Sequence, residues 1–464
     1  MKLVGARYSK IYEIAKVITD HEGRALLVGG VVRDMIMARE DSTEVRSLKT
    51  HVKDIDIEVY GLSSEQLEKI LQQFGVVSLV GKSFGVLRVH GLDVDWSLPR
   101  ADSPGRKPTV EIDPYMPVEV AARRRDLTMN AIALDLKTEQ LIDPCNGIND
   151  IKNKILRTPD ARFFIQDPLR FYRVMQFIGR FEMFPDDELN MLCKKMDISQ
   201  VSRERIEEEF KKLLLYSARP SNGFRWLKEI GRLNEVLPEL AATIAIPQNP
   251  QWHPEGDVFE HSMQAIDAAA VIVQKYEREF DKLILLYAAL CHDLGKVTAT
   301  CEIDGVIKSI GHEKDSKKFA QKLLKRITHN TDLINAVSSL VLYHMNPLQF
   351  TKNKAKLPAY KRLANQLDRQ VNMLMLIDLC NADKRGRNGE SHEPLTCDFA
   401  DVAIFKKNVE QAGVELTRIK PLLKGADIMD IVPAGPKMGK LLDKAYEWQI
   451  EQGISDKHIL KKYL

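Results

Sequence analysis

Leu26-Leu27-Val28-Gly29-Gly30-Val31-Val32-Arg33-Asp34 and, further on, Asp54-Ile55-Asp56-Ile57-Glu58-Val59-Tyr60-Gly61 decide the reading of the N-terminal third of this chain. The first stretch reads as a buried strand, a two-glycine turn and a helix start. Adjacent glycines let backbone N–H groups come close to an anion at a helix N-terminus, where the peptide dipoles favour negative charge. Arg33, about one turn into the helix, adds a cation for a phosphate. In the second stretch, residues i and i+2 of a strand share a face, so Asp54 and Asp56 stand side by side while Ile55 and Ile57 face the core. Carboxylates held so close resist joint ionisation unless a cation neutralises them, and Mg²⁺ is commonly held by one or two carboxylates together with substrate phosphates. Asp95, in the strand-like run Leu92 to Leu98, is placed to supply a third. An isolated Asp-x-Asp is usually a solvated acidic edge. The phosphate-type turn ahead of it reverses that ordering.

Working outward, the first 150 residues mix short β-rich runs (ALLVGG, DIDIEVYG, FGVLRVHG, LDVDWSL, AIALDL) with helical stretches such as Ser64 to Phe74, an α/β pattern. From Ile151 the periodicity becomes helical, as in DPLRFYRVMQFIGRF and RIEEEFKKLLLY, and strand-like alternation becomes rare. Ile246 to Asp257 (IPQNPQWHPEGD) reads as a linker at a domain boundary, with helices resuming at Val258. The expectation is an α+β chain: a head with a mixed sheet over residues 1–157, then an all-α neck and body over 158–245, a second helical domain over 256–390 and a helical tail over 391–464.

The 464 residues are enough for about three domains, and 44% hydrophobic with 29% charged residues excludes disordered and collagenous chains. Six scattered cysteines with no CxxC pair form neither a zinc nor a disulfide framework. No apolar run approaches the ~20 residues that cross a bilayer, and the first residues lack a signal-peptide apolar region, so a cytoplasmic protein without membrane partners is expected. The net charge of +3 hides a division. Residues 1–150 are net negative, whereas 151–240 and 351–464 are net positive, as suits surfaces that hold an RNA backbone.

Two further segments carry chemistry in the first half. Arg123-Arg124-Arg125-Asp126 sets three cations beside a carboxylate able to accept from a sugar hydroxyl. Gln166-Asp167-Pro168-Leu169-Arg170-Phe171-Tyr172-Arg173 puts Asp167, Arg170 and Arg173 on one helix face, an acceptor beside donors suited to a base edge. In this order the segments resemble the class II tRNA nucleotidyltransferases (CCA-adding enzymes) and the bacterial poly(A) polymerases of the DNA polymerase β superfamily. The resemblance covers roughly the first 240 residues, including Ser202-Arg203-Glu204-Arg205-Ile206-Glu207. It implies a polymerase-β-like head in which Asp54 and Asp56 hold Mg²⁺ with Asp95 as the third carboxylate. Gly29, Gly30 and Arg33 would bind the triphosphate, Arg124, Arg125 and Asp126 phosphate and ribose, and Asp167 and Arg170 the edges of C and A, with Arg173 nearby. CTP and ATP are the implied substrates and the acceptor end of tRNA the implied partner. Two departures stand out: Gln166 occupies a position where the family usually has Glu, and the charged segment 39–53 is longer than the family's link. The Pro-rich segment Ser97 to Val118 could be the loop that permits the switch from C to A.

The second half carries His261 (Glu260-His261-Ser262), His292-Asp293 (Cys291-His292-Asp293-Leu294-Gly295-Lys296) and Asp383 (Ala382-Asp383-Lys384), with Gly295 placed to end a helix. Imidazole and carboxylate together suit transition metals, or Mg²⁺ where oxygens suffice. The set is similar to the HD phosphohydrolase superfamily, which implies a metal-dependent phosphodiesterase or phosphatase using Ni²⁺, Mn²⁺ or Mg²⁺, for example on 2′,3′-cyclic phosphates. His312 and His344 lie where some members have additional ligands, yet read here as surface histidines. Head and HD domain in one chain resemble the multifunctional bacterial CCA-adding proteins nearly end to end. A poly(A) polymerase or CC-adding enzyme shares the head. From another class, the chain could be mainly an HD hydrolase with an RNA-binding head.

Overall fold

The structure, a computed structural model, describes residues 6–40, 55–80, 85–102 and 110–464. Asp54 and nearly all of the charged 39–53 segment lie outside the described residues, as does the middle of the 97–118 loop. The chain divides into two compact units, Met1–Ser202 and Arg203–Leu464.

The first unit runs α1 (Ala6–Asp20), β1 (Arg24–Val28), α2 (Gly30–Glu40), β2 (Ile55–Tyr60), α3 (Ser64–Gln72), β3 (Val77–Val80), β4 (Val86–Val89), β5 (Val94–Ser97), β6 (Arg100–Asp102), β7 (Val110–Ile112) and α4 (Val118–Arg123). There follow a 3₁₀ turn (Thr128–Asn130), β8 (Ala133–Asp135), β9 (Leu141–Ile142), α5 (Gly147–Lys152), β10 (Ile155–Leu156), α6 (Ala161–Phe164), α7 (Leu169–Phe181), β11 (Phe184–Pro185) and α8 (Asp187–Lys195). Seven strands form one mixed sheet in the order β3-β4-β5-β2-β1-β8-β9, with β2 and β5 parallel and the other neighbours antiparallel. The period-2 pattern of β2 is obeyed: Ile55, Ile57 and Val59 are buried, whereas Asp56 and Glu58 are half-buried on the other face. On that other face Leu26, Val28 and Tyr60 pack on Met116 and Ala121, which leaves the strand ends beyond them polar. α3 begins at a capping box of Ser63 and Gln66, the local reason its helix starts there.

The second unit runs α9 (Arg203–Tyr216), α10 (Ser221–Glu229), α11 (Leu233–Val236), α12 (Pro238–Ala241), α13 (Val258–Ile272), α14 (Glu279–Cys291) and α15 (Lys296–Ala299). A hairpin of β12 (Thr300–Ile303) and β13 (Val306–Ser309) interrupts the helices. Then come α16 (His312–Ile327), α17 (Thr331–Tyr343), α18 (Asn346–Lys352), α19 (Leu357–Gln366), α20 (Met373–Arg385), α21 (Ala400–Ala412), α22 (Pro436–Gln452) and α23 (Lys457–Lys461). α13 and α14 are apolar nearly all round, so they are buried on all sides, packed on each other and on α17 and α20. A separate small core of Leu423, Ile428, Met438, Ala445 and Leu460 holds α22 and α23. Among the described residues no helix is long and apolar enough to cross a membrane.

Gly295 does not end α14, as its sequence position suggested. That helix stops at Cys291, and Gly295 has an ordinary right-handed conformation ahead of α15. Its lack of a side chain serves packing: a Cβ there would sit 2.1 Å from His312 O and 2.4 Å from Ser316 N. The N-terminus of α16 rests on the glycine, whose own N–H donates to Ser316 Oγ at 2.8 Å. Gly295→Ala should therefore destabilise the protein by at least about 1–3 kcal/mol through overpacking, read as a lower urea midpoint. An unchanged midpoint would contradict this packing argument.

Candidate active site and candidate metal centre

In the first unit the glycine turn and the carboxylates meet at one end of the sheet. Val28 pairs with Asp56 across β1 and β2, and Asp56 pairs with Asp95 across the parallel β2 and β5, so the two carboxylates lie on one face of neighbouring strands. Gly29 leaves β1 with a positive φ of 77°, which glycine adopts without strain, and a Cβ there would stand 3.5 Å from Asp56 Oδ2. Arg88 donates to Asp95 Oδ1 at 2.7 Å from Nε, placing a cation against the pair. The donors are hard oxygens on one face, and Gly29 keeps the space beside them open, a set that fits Mg²⁺.

Behind this edge runs a hydrogen-bonded chain that links three of the expected residues, Arg33, Asp126 and Arg173. Arg33, 5% exposed, donates to Asn130 Oδ1 at 2.7 Å and to Asp34 at 2.8 Å, with its guanidinium 4.6 Å from the Phe181 ring centroid. Asn130 Nδ2 donates to Asp126 Oδ1 at 3.0 Å, and Arg173 Nε donates to Asp126 Oδ2 at 2.6 Å. Burial raises the Asp126 pKa, but Arg173 and Asn130 outweigh it and hold the carboxyl at about 2. Arg125 reaches Glu58 at 3.3 Å, and Arg124 lies over Phe163. Arg170 donates to the carbonyls of Phe163 (2.8 Å) and Arg124 (2.6 Å), tying the starts of α7 and the polar loop together. Asp167 sits just ahead of α7 and accepts from Leu169 N at 3.1 Å, while Gln166 is exposed. Asn130, Glu58 and Arg88 were not singled out from the sequence. Glu58 lies inside the quoted stretch Asp54 to Gly61 and Asn130 four residues past the Arg-rich segment, while Arg88 carries no motif and is brought in only by strand register.

In the second unit His261 lies on α13, His292 and Asp293 follow α14, and Asp383 lies on α20. His261 Nε2 is 3.1 Å from His292 Nε2, 3.1 Å from Asp383 Oδ1 and 3.5 Å from Asp293 Oδ2. His312 and His344 are not surface residues. They are 4% and 3% exposed, their Nε2 atoms are 3.1 Å apart, and they lie 2.9 and 3.7 Å from Asp293 Oδ1. Close packing of α16 onto Gly295 carries His312 inward, a tertiary effect that the sequence of α16 does not display. Asp293 thus faces two clusters, one with each oxygen.

The ring orientations decide what these clusters can hold. His292, His312 and His344 donate from Nδ1 to the carbonyls of Ala289 (2.8 Å), Ser309 (2.7 Å) and Val341 (2.7 Å). In the neutral rings Nε2 then carries the lone pair, turned by His312 and His344 towards each other and by His292 towards His261, as metal-ligating imidazoles are. His261 differs: its Nδ1 faces Glu255 Oε1 at 2.7 Å and Gly386 O at 3.2 Å. Burial lowers the His261 pKa, but Asp383 and Glu255 outweigh it and raise it to about 9, so a proton competes with a metal for Nε2. Four imidazoles and two carboxylates with these lone pairs fit divalent transition metals.

Ile246 to Asp257 does not behave as a bare linker. It belongs to the second unit and buttresses the centre from both sides. The Glu255 side chain, closed off from solvent, bonds His261 and also His253 at 2.9 Å. Gln248 Oε1 accepts from Lys296 Nζ at 2.7 Å, and Lys296 Nζ lies 2.7 Å from Asp293 Oδ2. Arg387 pairs with Asp383 at 2.7 Å. These supports were missed because Pro and Gly punctuation reads as loop whatever its side chains contact; the run His253-Pro-Glu255, two titratable residues before a metal-binding helix, was the available signal. Glu255→Gln should weaken Mn²⁺ binding about 10–100-fold by calorimetry while the circular dichroism spectrum stays unchanged. Wild-type affinity in that variant would remove Glu255 from the centre.

Comparison with known proteins identifies relatives of both units. The Poly A polymerase head domain family matches residues 25–157, the HD domain family residues 258–383, and the family described as "Probable RNA and SrmB- binding site of polymerase A" residues 190–244. A multifunctional CCA protein of Methylobacillus flagellatus is 32% identical over 382 residues, covering 80% of this chain and 86% of the relative. Another, of Burkholderia ambifaria, is 29% identical over 427 residues, 88% of this chain and 95% of the relative. Among solved structures, a CCA-adding enzyme in complex with CTP superposes with a TM-score of 0.64 at 17% identity, covering 99% of this chain and 95% of that one. The Thermotoga maritima CCA-adding enzyme complexed with tRNA gives 0.61 at 17% identity, with coverage of 99% and 95%, which shows a shared fold. With head, carboxylate pair and histidine centre in place and this identity spanning four-fifths of its length, the chain belongs to the multifunctional CCA protein family.

Proposed function

We propose that this protein adds C, C and then A to the 3′ end of tRNA in the cytoplasm, using CTP and ATP without a nucleic-acid template and releasing pyrophosphate. The observation that supports this most is the in-register pair Asp56 and Asp95 beside the Gly29 turn. Asp56 and Asp95, with Asp54, would hold Mg²⁺, which supplies activation of the RNA 3′-hydroxyl and charge stabilisation at the α-phosphate and leaving pyrophosphate. The Gly29–Gly30 backbone and the α2 N-terminus receive the triphosphate. Arg124 and Arg125 lie on the approach for phosphate and ribose, and Asp167 and Arg170 at the start of α7 read the base edge. Arg33, Asn130, Asp126 and Arg173 act as one hydrogen-bonded chain that fixes α2 relative to α7, so the triphosphate turn and the base-reading helix keep a set spacing. Pyrophosphate release from CTP should depend strictly on added tRNA. Release without RNA would contradict the assignment.

The histidine centre is proposed as a metal-dependent phosphoesterase for RNA 3′ ends or 2′,3′-cyclic phosphates. His261, His292, Asp293 and Asp383 would hold one ion and Asp293, His312 and His344 a second, which together supply an activated water and Lewis acidity. Glu255 holds the His261 ring with Nε2 turned inward, and Lys296 keeps Asp293 between the clusters. Hydrolysis of a 2′,3′-cyclic phosphate with Ni²⁺, Mn²⁺ or Mg²⁺ is the expected result. An inert centre with all three ions would leave this region a structural arm.

A further inference from the structure

A cavity of about 400 Å³ opens on the second unit where stretches far apart in sequence converge: Lys317 on α16, Tyr343 and its neighbours on α17, Gln366 at the end of α19 with Leu367 to Arg369 after it, and Arg418 after α21. Its walls are built in advance. Arg418 donates to Leu367 O, and Asp368 N donates to Ser339 Oγ at 2.9 Å, which clamps the loop from two sides. Ser338 Oγ is turned back onto Ile334 O at 2.6 Å, within its own helix. The cavity is separate from the metal centre: His344 is buried against Asp293, whereas the preceding Tyr343 lines the cavity.

The charge on these walls is unbalanced. Lys317, Arg369 and Arg418 face a single carboxylate, Asp368, which accepts from Gln370 N at 2.9 Å. Among the described residues neither Lys317 nor Arg369 has an ion-pair partner. Arg418, the third cation of the wall, is held by the Leu367 carbonyl and, among the described residues, not by a carboxylate. Cations gathered unpaired around a concave polar surface attract a multiply charged anion. The volume falls in the ~300–1,000 Å³ range of pockets that take whole small ligands, more than a lone phosphate needs. Gln321, Asn335 and Gln366 add carboxamide side chains to the lining and Tyr343 an aromatic one, the side-chain types that read base edges and stack on bases.

We propose that this cavity is a ribonucleotide-binding site, separate from the nucleotidyltransfer and histidine centres, that takes one ribonucleotide unit with its phosphate on Lys317, Arg369 and Arg418. The unit comes either from free nucleotide or from an RNA chain, and the two share this chemistry. The test is hydrogen exchange by mass spectrometry on the full chain, titrated with AMP, with CMP and with a tRNA transcript. Peptides covering residues 335–343 and 366–369 should gain protection. Protection by AMP or CMP identifies free nucleotide as the source, and protection by tRNA alone identifies RNA. Lys317→Ala with Arg369→Ala, both away from the buried core, should weaken the protecting interaction by about tenfold or more while protection around Gly29 is kept. No protection with any ligand, or protection unchanged in the double variant, would overturn the proposal.

Discussion

Replacing Asp56 with alanine is expected to lower nucleotide incorporation by about 10³-fold or more while tRNA binding stays measurable. Asp56 stands directly opposite Asp95 on the parallel strand and beside the Gly29 turn, so in the proposed function it is the carboxylate that would share Mg²⁺ with its neighbour next to the triphosphate. Losing a ligand that stabilises transition-state charge costs several kcal/mol, and each 1.36 kcal/mol is about tenfold in rate. The substitution should not unfold the head, because Asp56 is half-buried on the polar side of β2 while Ile55, Ile57 and Val59 carry the packing. Single-turnover incorporation of C, measured beside filter binding of the same tRNA, separates the two effects. Retained incorporation would remove the carboxylate pair from the chemistry.

The second large effect concerns Asp293. Its Oδ2 faces His261 and His292, at 3.5 and 3.3 Å, and its Oδ1 faces His312 and His344. One substitution therefore reaches both clusters. Asp293→Asn keeps the shape but halves the oxygen donors and removes the charge, so bound divalent metal, measured by elemental analysis after dialysis, should fall from both clusters and cyclic-phosphate hydrolysis should cease. C and A addition by the head should be unchanged. Lys296 keeps Gln248 as a partner in the variant, which limits the cost of leaving its ammonium without a carboxylate. Full metal content in Asp293→Asn would show that the ions are held elsewhere.

Local patterns made much of this legible. The alternation of β2 and the turn at Gly29 each follow from short-range physics, and each appears where the sequence reading expects it. The β12–β13 hairpin was absent from that reading although Asp304-Gly305 carries its signal. Both residues have positive φ, 53° and 71°, as a type I′ turn requires, but a four-residue strand among long helices is easily lost to the surrounding period. Arg88, the contact of Glu255 and the burial of His312 depend on partners brought by register or helix packing: Asp95 across a strand, His261 across a loop, Asp293 across Gly295. The resemblance marks His312 as a position of additional ligands, but nothing local in α16 shows that it turns inward. Sequence shows the ligands that sit in motifs, while the residues that aim those ligands are set by tertiary structure.

The most direct measurement offers the purified protein three tRNA transcripts, ending before C, CC and CCA, with CTP and ATP supplied singly and together. The account predicts that C is added from CTP alone, that A follows only after two C residues are in place, and that synthesis then stops. An unlimited A tail from ATP alone on any RNA end, or no extension of any transcript, would contradict it.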